Sequence, residues 1–193
     1  MKNALVINTH HPYESSAGQL NAALVELANV YLAEKGYELQ NTKVRDGYDI
    51  EQEVEKHLWA NFVFVQGPVN WMGFPWSFKK YQDEVYSAAG GLLYDGDGRH
   101  RAEADSHYGS GGLGQGKKYM LSLTFNAPRA AFGDPGQYLF AGKGVDDLFF
   151  PSHMNFRFMG MEPLETFVCY DVHKNPDIEN DFERFRNHLY QHA

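Results

Sequence analysis

The spacing of apolar residues changes several times along the chain, and each change marks an element. Ala4-Leu5-Val6-Ile7 is an unbroken apolar run ending at Asn8, the pattern of a buried strand. A polar loop, THHPYESSAG, follows it. Leu20, Ala23, Leu24, Leu27, Ala28 and Tyr31 then recur at helical spacing, with Ser15 or Ser16 as the expected N-cap and Gly36 as the stop. Tyr37 to Lys43 reads as a second strand. Asp49 and Gln52 form a capping-box-like pair that opens a short helix with Ile50, Val54 and Leu58 on one face. A third strand near Asn61 to Gln66 runs into the aromatic turn GPVNWMGFPWSFKKY, where Pro75 suits the first position of a helix reaching about Ser87. Residues 88–116 are rich in Gly, Asp and His without sustained periodicity. They read as a long excursion over the carboxyl edge of the sheet. Tyr119 to Phe125 and Leu164 to Tyr170 are the fourth and fifth strands. Between them a helix near Val145 to Met159 is disturbed by Pro151. The last helix is expected to open at Asn175-Pro176, with Ile178, Phe182, Phe185 and Leu189 on one face.

Five strands alternating with helices predict an α/β protein with a parallel sheet and right-handed crossovers. The expected architecture is a flavodoxin-like three-layer sandwich, with strand order 2-1-3-4-5 and helices on both faces. No internal repeat or linker divides the chain, so residues 1–193 read as one domain.

Composition narrows the function classes. A net charge of -8 gives no global attraction to nucleic acid or anionic membrane, although Lys117-Lys118 could steer an anionic cofactor. The single cysteine, Cys169, allows no internal disulfide and no thiolate metal site, and its apolar surroundings predict a buried inert thiol. No apolar run reaches the length of a membrane span, and Met1-Lys2-Asn3 leads straight into a strand, so a soluble cytoplasmic protein is expected. Aromatics make up 15% of the chain, more than a routine core needs. That excess suggests buried surface between subunits.

Several motifs bear on chemistry. Gly109, Gly111 and Gly114 satisfy GxGxxG but precede a strand rather than a helix, and Gly111 to Lys117 resembles a P-loop that lacks its Ser or Thr. These glycines fit close backbone approach or turns. The loop after the first strand is a better phosphate site, since Thr9, Ser15, Ser16, Gly18 and Gln19 combine hydroxyls with amides at a helix N-terminus. His10 and His11 lie in that loop. The aromatic turn sits at the carboxyl end of the third strand, where open α/β sheets hold ligands. Trp71, Phe74, Trp76 and Phe125 could wall a flat apolar slot, or plug the core. His188 and His192 have metal-ligand spacing, but a solvated pair is the expectation and no metal is assigned. His153 reads as structural.

Three segments, HPYESSAGQLN, GPVNWMGFPWSFKKY and YGSGGLGQGKKYMLSLTFNAP, together resemble the modulator of drug activity B family of NAD(P)H:quinone reductases. The resemblance continues through Gly144-Val145-Asp146, Gly160 to Leu164 and the terminal helix. It departs at Asn70, at Phe125 and in the first loop. It implies non-covalent FAD, with NADPH or NADH as hydride donor, a quinone substrate, and a homodimer with the flavin near the subunit interface. The residues it implies for the pyrophosphate are Ser16, Ala17, Gly18, Gln19, Leu20, Asn21, Ala22 and Ala23. Val69, Asn70, Trp71 and Met72 would flank the isoalloxazine, and Thr124, Phe125, Asn126 and Ala127, with Tyr108, would complete the pocket. Trp71 is the expected wall of the quinone site, and Tyr108 the expected hydrogen-bonding group to flavin or quinone. An FMN-dependent azoreductase or nitroreductase is the nearer competitor, and a flavodoxin-like electron carrier or regulatory partner the more distant one.

Overall fold

The computed structural model describes residues 2–14, 16–99 and 107–193. A twisted parallel sheet lies at the centre. Its strands are β1 (Lys2–Asn8), β2 (Tyr37–Lys43), β3 (Phe62–Pro68), β4 (Lys118–Thr124), β5 (Glu162–Pro163) and β6 (Phe167–Cys169), in the order β2-β1-β3-β4-β5, with β6 also on β4. All pairings are parallel, with Ile7 beside Val65 and Pro68 beside Thr124. Of the expected fifth strand, Leu164 to Tyr170, only β6 is strand; β5 is a separate short piece before it on the same edge, and residues 164–166 interrupt the two.

Alternation along the strands builds two cores, because successive side chains leave opposite faces. Leu5, Ile7, Val63, Val65, Leu121 and Leu123 pack under α2 (Ile50–Trp59), α3 (Trp76–Ala88), α4 (Val145–Leu148) and α5 (Phe150–Phe158). Ala4, Val6, Phe62, Phe64 and Met120 pack under α1 (Gln19–Glu34) and α6 (Ile178–His192). Cys169 is buried in the second core, and burial pushes its thiol far above the ordinary value, as an inert structural cysteine requires. Among the described residues no helix is long and apolar enough to cross a membrane.

Helix boundaries depart from the sequence reading where a competing group takes the cap. Gly18 is the N-cap of α1, at φ 76° and with no side-chain bond, so Ser16 is not the cap. Ser15 lies outside the described residues. Pro75 is the N-cap of α3 rather than its first residue. Asp49 caps α2 as expected, accepting from the Gln52 amide at 3.0 Å. The predicted Val145–Met159 helix breaks at Phe149, and Pro151 falls in the first turn of α5, where no amide is needed. Helix α6 begins after Asp177, two residues beyond the expected Asn175-Pro176 start.

On α2 the expected face is wrong in part. Ile50 and Leu58 are exposed, whereas Val54, Glu53 and His57 are buried. Glu53 is tolerated because it is saturated with donors. The Thr42 hydroxyl, 2.9 and 2.8 Å from its two oxygens, donates its one proton to the carboxylate, Lys56 Nζ lies at 2.6 Å, and the Tyr81 hydroxyl donates at 2.8 Å. His57 Nε2 lies 3.0 Å from that hydroxyl, and burial drives the imidazole down to about 3.

The 88–116 excursion lies at the amino ends of the strands, not over their carboxyl edge. It joins a helix to the start of a strand, and in a parallel sheet helices return the chain to the amino ends. Leu113 N–H bonds the Leu93 carbonyl, and Gly114 N–H bonds the Met159 carbonyl just before β5. Residues 100–106 of it lie outside the described residues. The GxGxxG glycines serve this packing. A Cβ at Gly111 would meet the Asp95 carbonyl, and one at Gly114 would meet the Met159 carbonyl.

Candidate functional site

At the carboxyl edge, the loops after β1, β3, β4 and β6 converge on a cavity of about 300 Å³. Its lining includes Tyr13, Ser16, Ala17, Gly18, Gln19, Leu20, Asn21, Pro68, Val69, Asn70, Thr124, Asn126, Val172 and His173. Ten of these were expected from the sequence; Tyr13, Pro68, Val172 and His173 were not. Val172 and His173 follow the last sheet strand, so the rule that placed the other loops here applied to them as well.

The amino end of α1 is open toward this cavity. The first intrahelical bond runs from Ala22 N–H to the Gly18 carbonyl, at 2.9 Å, so the amides of Gln19, Leu20 and Asn21 have no acceptor within the helix. Among the described residues no side chain caps them, and no acidic residue stands in the first turn. Such an end attracts an anion. The entering loop is held from below by His10, whose Nε2 lies 3.2 Å from the Ser16 carbonyl and 3.5 Å from Ser16 Oγ. Burial lowers the His10 pKa, against that hydrogen bond, which raises it. A Cβ at Gly18 would overlap the His10 ring, and φ 76° adds a second reason for glycine there.

A buried chain of side chains runs behind the cavity, with Asn21 and Thr124 on its wall. Gln66 Nε2 donates to Asn21 Oδ1 at 2.9 Å, and Asn21 Nδ2 donates to Thr124 Oγ1 at 3.2 Å. Gln66 Oε1 and Thr9 Oγ1 are buried without a partner among the described residues.

The aromatic turn divides by direction. Phe74 packs inward, on Phe78 and Phe149, and Phe125 turns its ring into the core against Phe132 and Phe140. Neither walls a slot. Trp71 is 98% exposed and Trp76 60% exposed. Asn70 and Gly73 exchange two backbone bonds around Trp71 and Met72, which adopt φ 45° and 67°. Two consecutive non-glycine residues in this region are strained. The turn therefore holds Trp71 out over the carboxyl edge, which excludes a buried plug as its role.

The remaining expected residues are spread more widely. Ala22 and Ala23 sit one turn into α1, behind the open amides, and Ala127 packs partly against the core. Tyr108 is not brought to this cavity. It lies beside Phe158 (ring centroids 6.1 Å apart), at the amino ends of the strands, with the Arg99 guanidinium 5.2 Å from its ring. Seven-residue β4 separates the two places by roughly 20 Å.

A larger hollow, about 1,100 Å³, runs along the sheet edge between α4–α5 and β5–β6. His153 faces it and links the Tyr119 hydroxyl (2.7 Å) to Asp146 (3.2 Å). Both ring nitrogens are thus engaged within the fold, in keeping with a structural histidine.

Comparison with known proteins agrees with this topology. The family defined by the flavodoxin-like fold matches residues 2–193. The NADPH:quinone oxidoreductase MdaB of Haemophilus influenzae is 43% identical over 187 residues, covering 97% of each chain. A Klebsiella pneumoniae protein assigned as a quinone reductase superposes with TM-score 0.79 at 25% identity, covering 99% of this chain and 85% of its own. General stress protein 14 of Treponema denticola, solved with FMN, shares the fold with TM-score 0.69 at 16% identity, covering 99% and 97%. The parallel order β2-β1-β3-β4-β5, the loops gathered at its carboxyl edge and the full-length match to MdaB lead to one assignment: the chain belongs to the flavodoxin-like family that contains MdaB.

Proposed function

We propose that this chain is an FAD-dependent NAD(P)H:quinone oxidoreductase that works as a homodimer. The observation that carries the reading is the meeting, at one cavity, of the open amino end of α1 and the Asn21–Gln66–Thr124 chain, beside the outward turn at Trp71. The name borne by the Haemophilus relative supports the same activity here.

The residues present fit a flavin nucleotide. The amides of Gln19, Leu20 and Asn21 suit its phosphates, and the helix dipole favours their charge. Burial keeps His10 neutral beneath the loop, so the ring acts as a support for Ser16. Thr9 Oγ1 and Gln66 Oε1 have hydrogen-bonding capacity to spare next to this edge. Val69 and Asn70 would border the ring system, and Asn126 and Thr124 would close the opposite side. When bound, the flavin would supply two-electron hydride transfer from NAD(P)H to a quinone. The chain's part is to orient the ring, present Trp71 beside its open side, and offer hydrogen-bond donors where negative charge develops. No cavity side chain needs to be a strong acid or base.

The dimer accounts for two observations. Trp71, Met72, Trp76, Tyr138, Leu139 and Phe150 are exposed apolar side chains on segments that reach the carboxyl edge. Such a set calls for a partner surface. Tyr108 stands at the far end of β4 within its own chain, so its expected role at the flavin belongs to a second subunit.

A mononucleotide reading has one observation in its favour. A cavity of about 300 Å³ is small for a whole FAD, which would make the protein an FMN enzyme of azoreductase type. Heat-released cofactor from purified protein, identified by chromatography, decides between them. FAD is expected. FMN would select the second reading, and a colourless protein that binds neither flavin at micromolar concentration would overturn both.

A further inference from the structure

The last turns of α6 place two imidazoles side by side. His188 and His192 stand four residues apart, with ring centroids 4.5 Å apart and planes inclined by 42°. Glu165 reaches the same place from the break between β5 and β6. Its backbone carbonyl accepts from His188 Nε2 at 2.8 Å, and its carboxylate Oε2 lies 3.2 Å from His192 Nε2. One ligand-capable atom from each of the three residues lies within 4.8 Å of the other two. Tetrahedral coordination at metal–ligand distances of 2.0–2.1 Å needs about 3.3 Å between ligand atoms, so modest side-chain rotations complete the set.

We propose that Glu165, His188 and His192 form a binding site for a divalent transition-metal ion, with zinc as its natural occupant. Two imidazole nitrogens and one carboxylate oxygen suit zinc, whereas calcium and magnesium call for oxygen alone. The interruption of the edge strand at residues 164–166 is what frees Glu165 to face α6. The bond from His188 to the Glu165 carbonyl fixes that ring and its tautomer, leaving Nδ1 with the lone pair. Phe167 packs beside the same ring, with centroids 5.5 Å apart.

The electrostatics allow the ion. Arg184, a cation on the same helix, is engaged elsewhere. It is held by the Val168 carbonyl at 2.6 Å and by Asp181 at 3.5 Å, and its guanidinium lies over Phe167. Three protein ligands leave a fourth position for water. A bound ion would tie the end of α6 to the broken edge strand, so its effect is local stability, separate from chemistry at the carboxyl edge.

The test uses the untagged full chain, stripped with a chelator and titrated with zinc chloride in a calorimeter. A parallel titration with cobalt(II) is followed in the visible. One equivalent of zinc is expected to bind with micromolar Kd and to raise Tm, and cobalt is expected to give the strong bands of four-coordinate geometry. Glu165→Gln keeps the backbone carbonyl while removing the anionic ligand, and His192→Gln removes the outer imidazole. Each should weaken zinc binding about tenfold or more, with the metal-free circular dichroism unchanged. Absence of saturable binding at submillimolar zinc would overturn the proposal. So would a Kd unaffected by both substitutions, which would place the ion elsewhere, or a loss of metal-free stability in both variants without any zinc effect, which would make the cluster an ordinary ion pair.

Discussion

The side-chain amide of Asn21 donates to Thr124 Oγ1 at 3.2 Å, tying the first turn of α1 to the last residue of β4. Gln66 on β3 donates to the other end of the same amide. One buried side chain therefore sets the spacing of three elements around the cavity. Asn21→Ala would leave the Gln66 amide without its acceptor, at a cost of about 1–3 kcal/mol. Urea unfolding should show that loss together with weaker flavin retention. A variant as stable as the wild type would contradict the linkage.

Trp71 is strained and solvent-facing at once. Trp71→Gly removes the strain of a left-handed backbone, so stability should hold or rise by up to about 1 kcal/mol. Turnover per bound flavin should nevertheless fall, because the wall of the open side is gone. Thermal melts and steady-state rates at saturating flavin check both halves. A destabilised variant would restore the plug role.

Gly18 and Ser16 should separate cleanly. Gly18→Ala places a Cβ on the His10 ring at a left-handed position, and should destabilise the loop and abolish flavin binding. Ser16→Ala removes a hydroxyl that caps nothing, so stability should change by no more than about 0.5 kcal/mol. Equal losses in the two variants would return Ser16 to the capping role.

His57 makes folding stability depend on pH. Its folded value, about 3, lies below the ordinary imidazole value of 6.5, because burial opposes the charge. Below about pH 6.5 the unfolded chain takes up a proton that the folded chain refuses, so stability falls as pH drops from 6.5 toward 3. The slope from this residue is at most about 1.4 kcal/mol per pH unit. His10 and His188 are shifted the same way, so the informative quantity is the difference between wild type and His57→Phe. That variant should show a flatter pH profile; an unchanged slope would contradict the assignment.

The strand order was legible because buried parallel strands are continuous apolar runs, and β1, β3 and β4 are such runs. The loops after β1, β3 and β4 followed from the same order. Ser16 misled because a serine before an amphipathic run is an ordinary cap, whereas here the chain bends at Gly18 to pass over His10. The 88–116 excursion was misplaced although the topology held the answer, since a segment leading from α3 into β4 must lie at the amino ends, and Tyr108 stands there with it. Glu53 and His57 gave no sequence signal, because their burial depends on Tyr81 and Thr42, which are distant in the chain. Glu165 joins His188 and His192 only through the break in the edge strand, which reading residues 164–170 as one continuous strand concealed.

In the proposed function, the carboxyl-edge cavity holds a flavin that passes electrons from NAD(P)H to a quinone. The direct measurement is anaerobic spectroscopy of the flavin-loaded protein during sequential addition of NADPH and a soluble benzoquinone. The flavin absorbance should bleach with NADPH and return with stoichiometric quinone, while Asn21→Ala should load flavin more weakly and Gly18→Ala should fail to load it. A loaded protein whose flavin NADPH and NADH leave oxidised, or whose reduced flavin quinone leaves bleached, would contradict it.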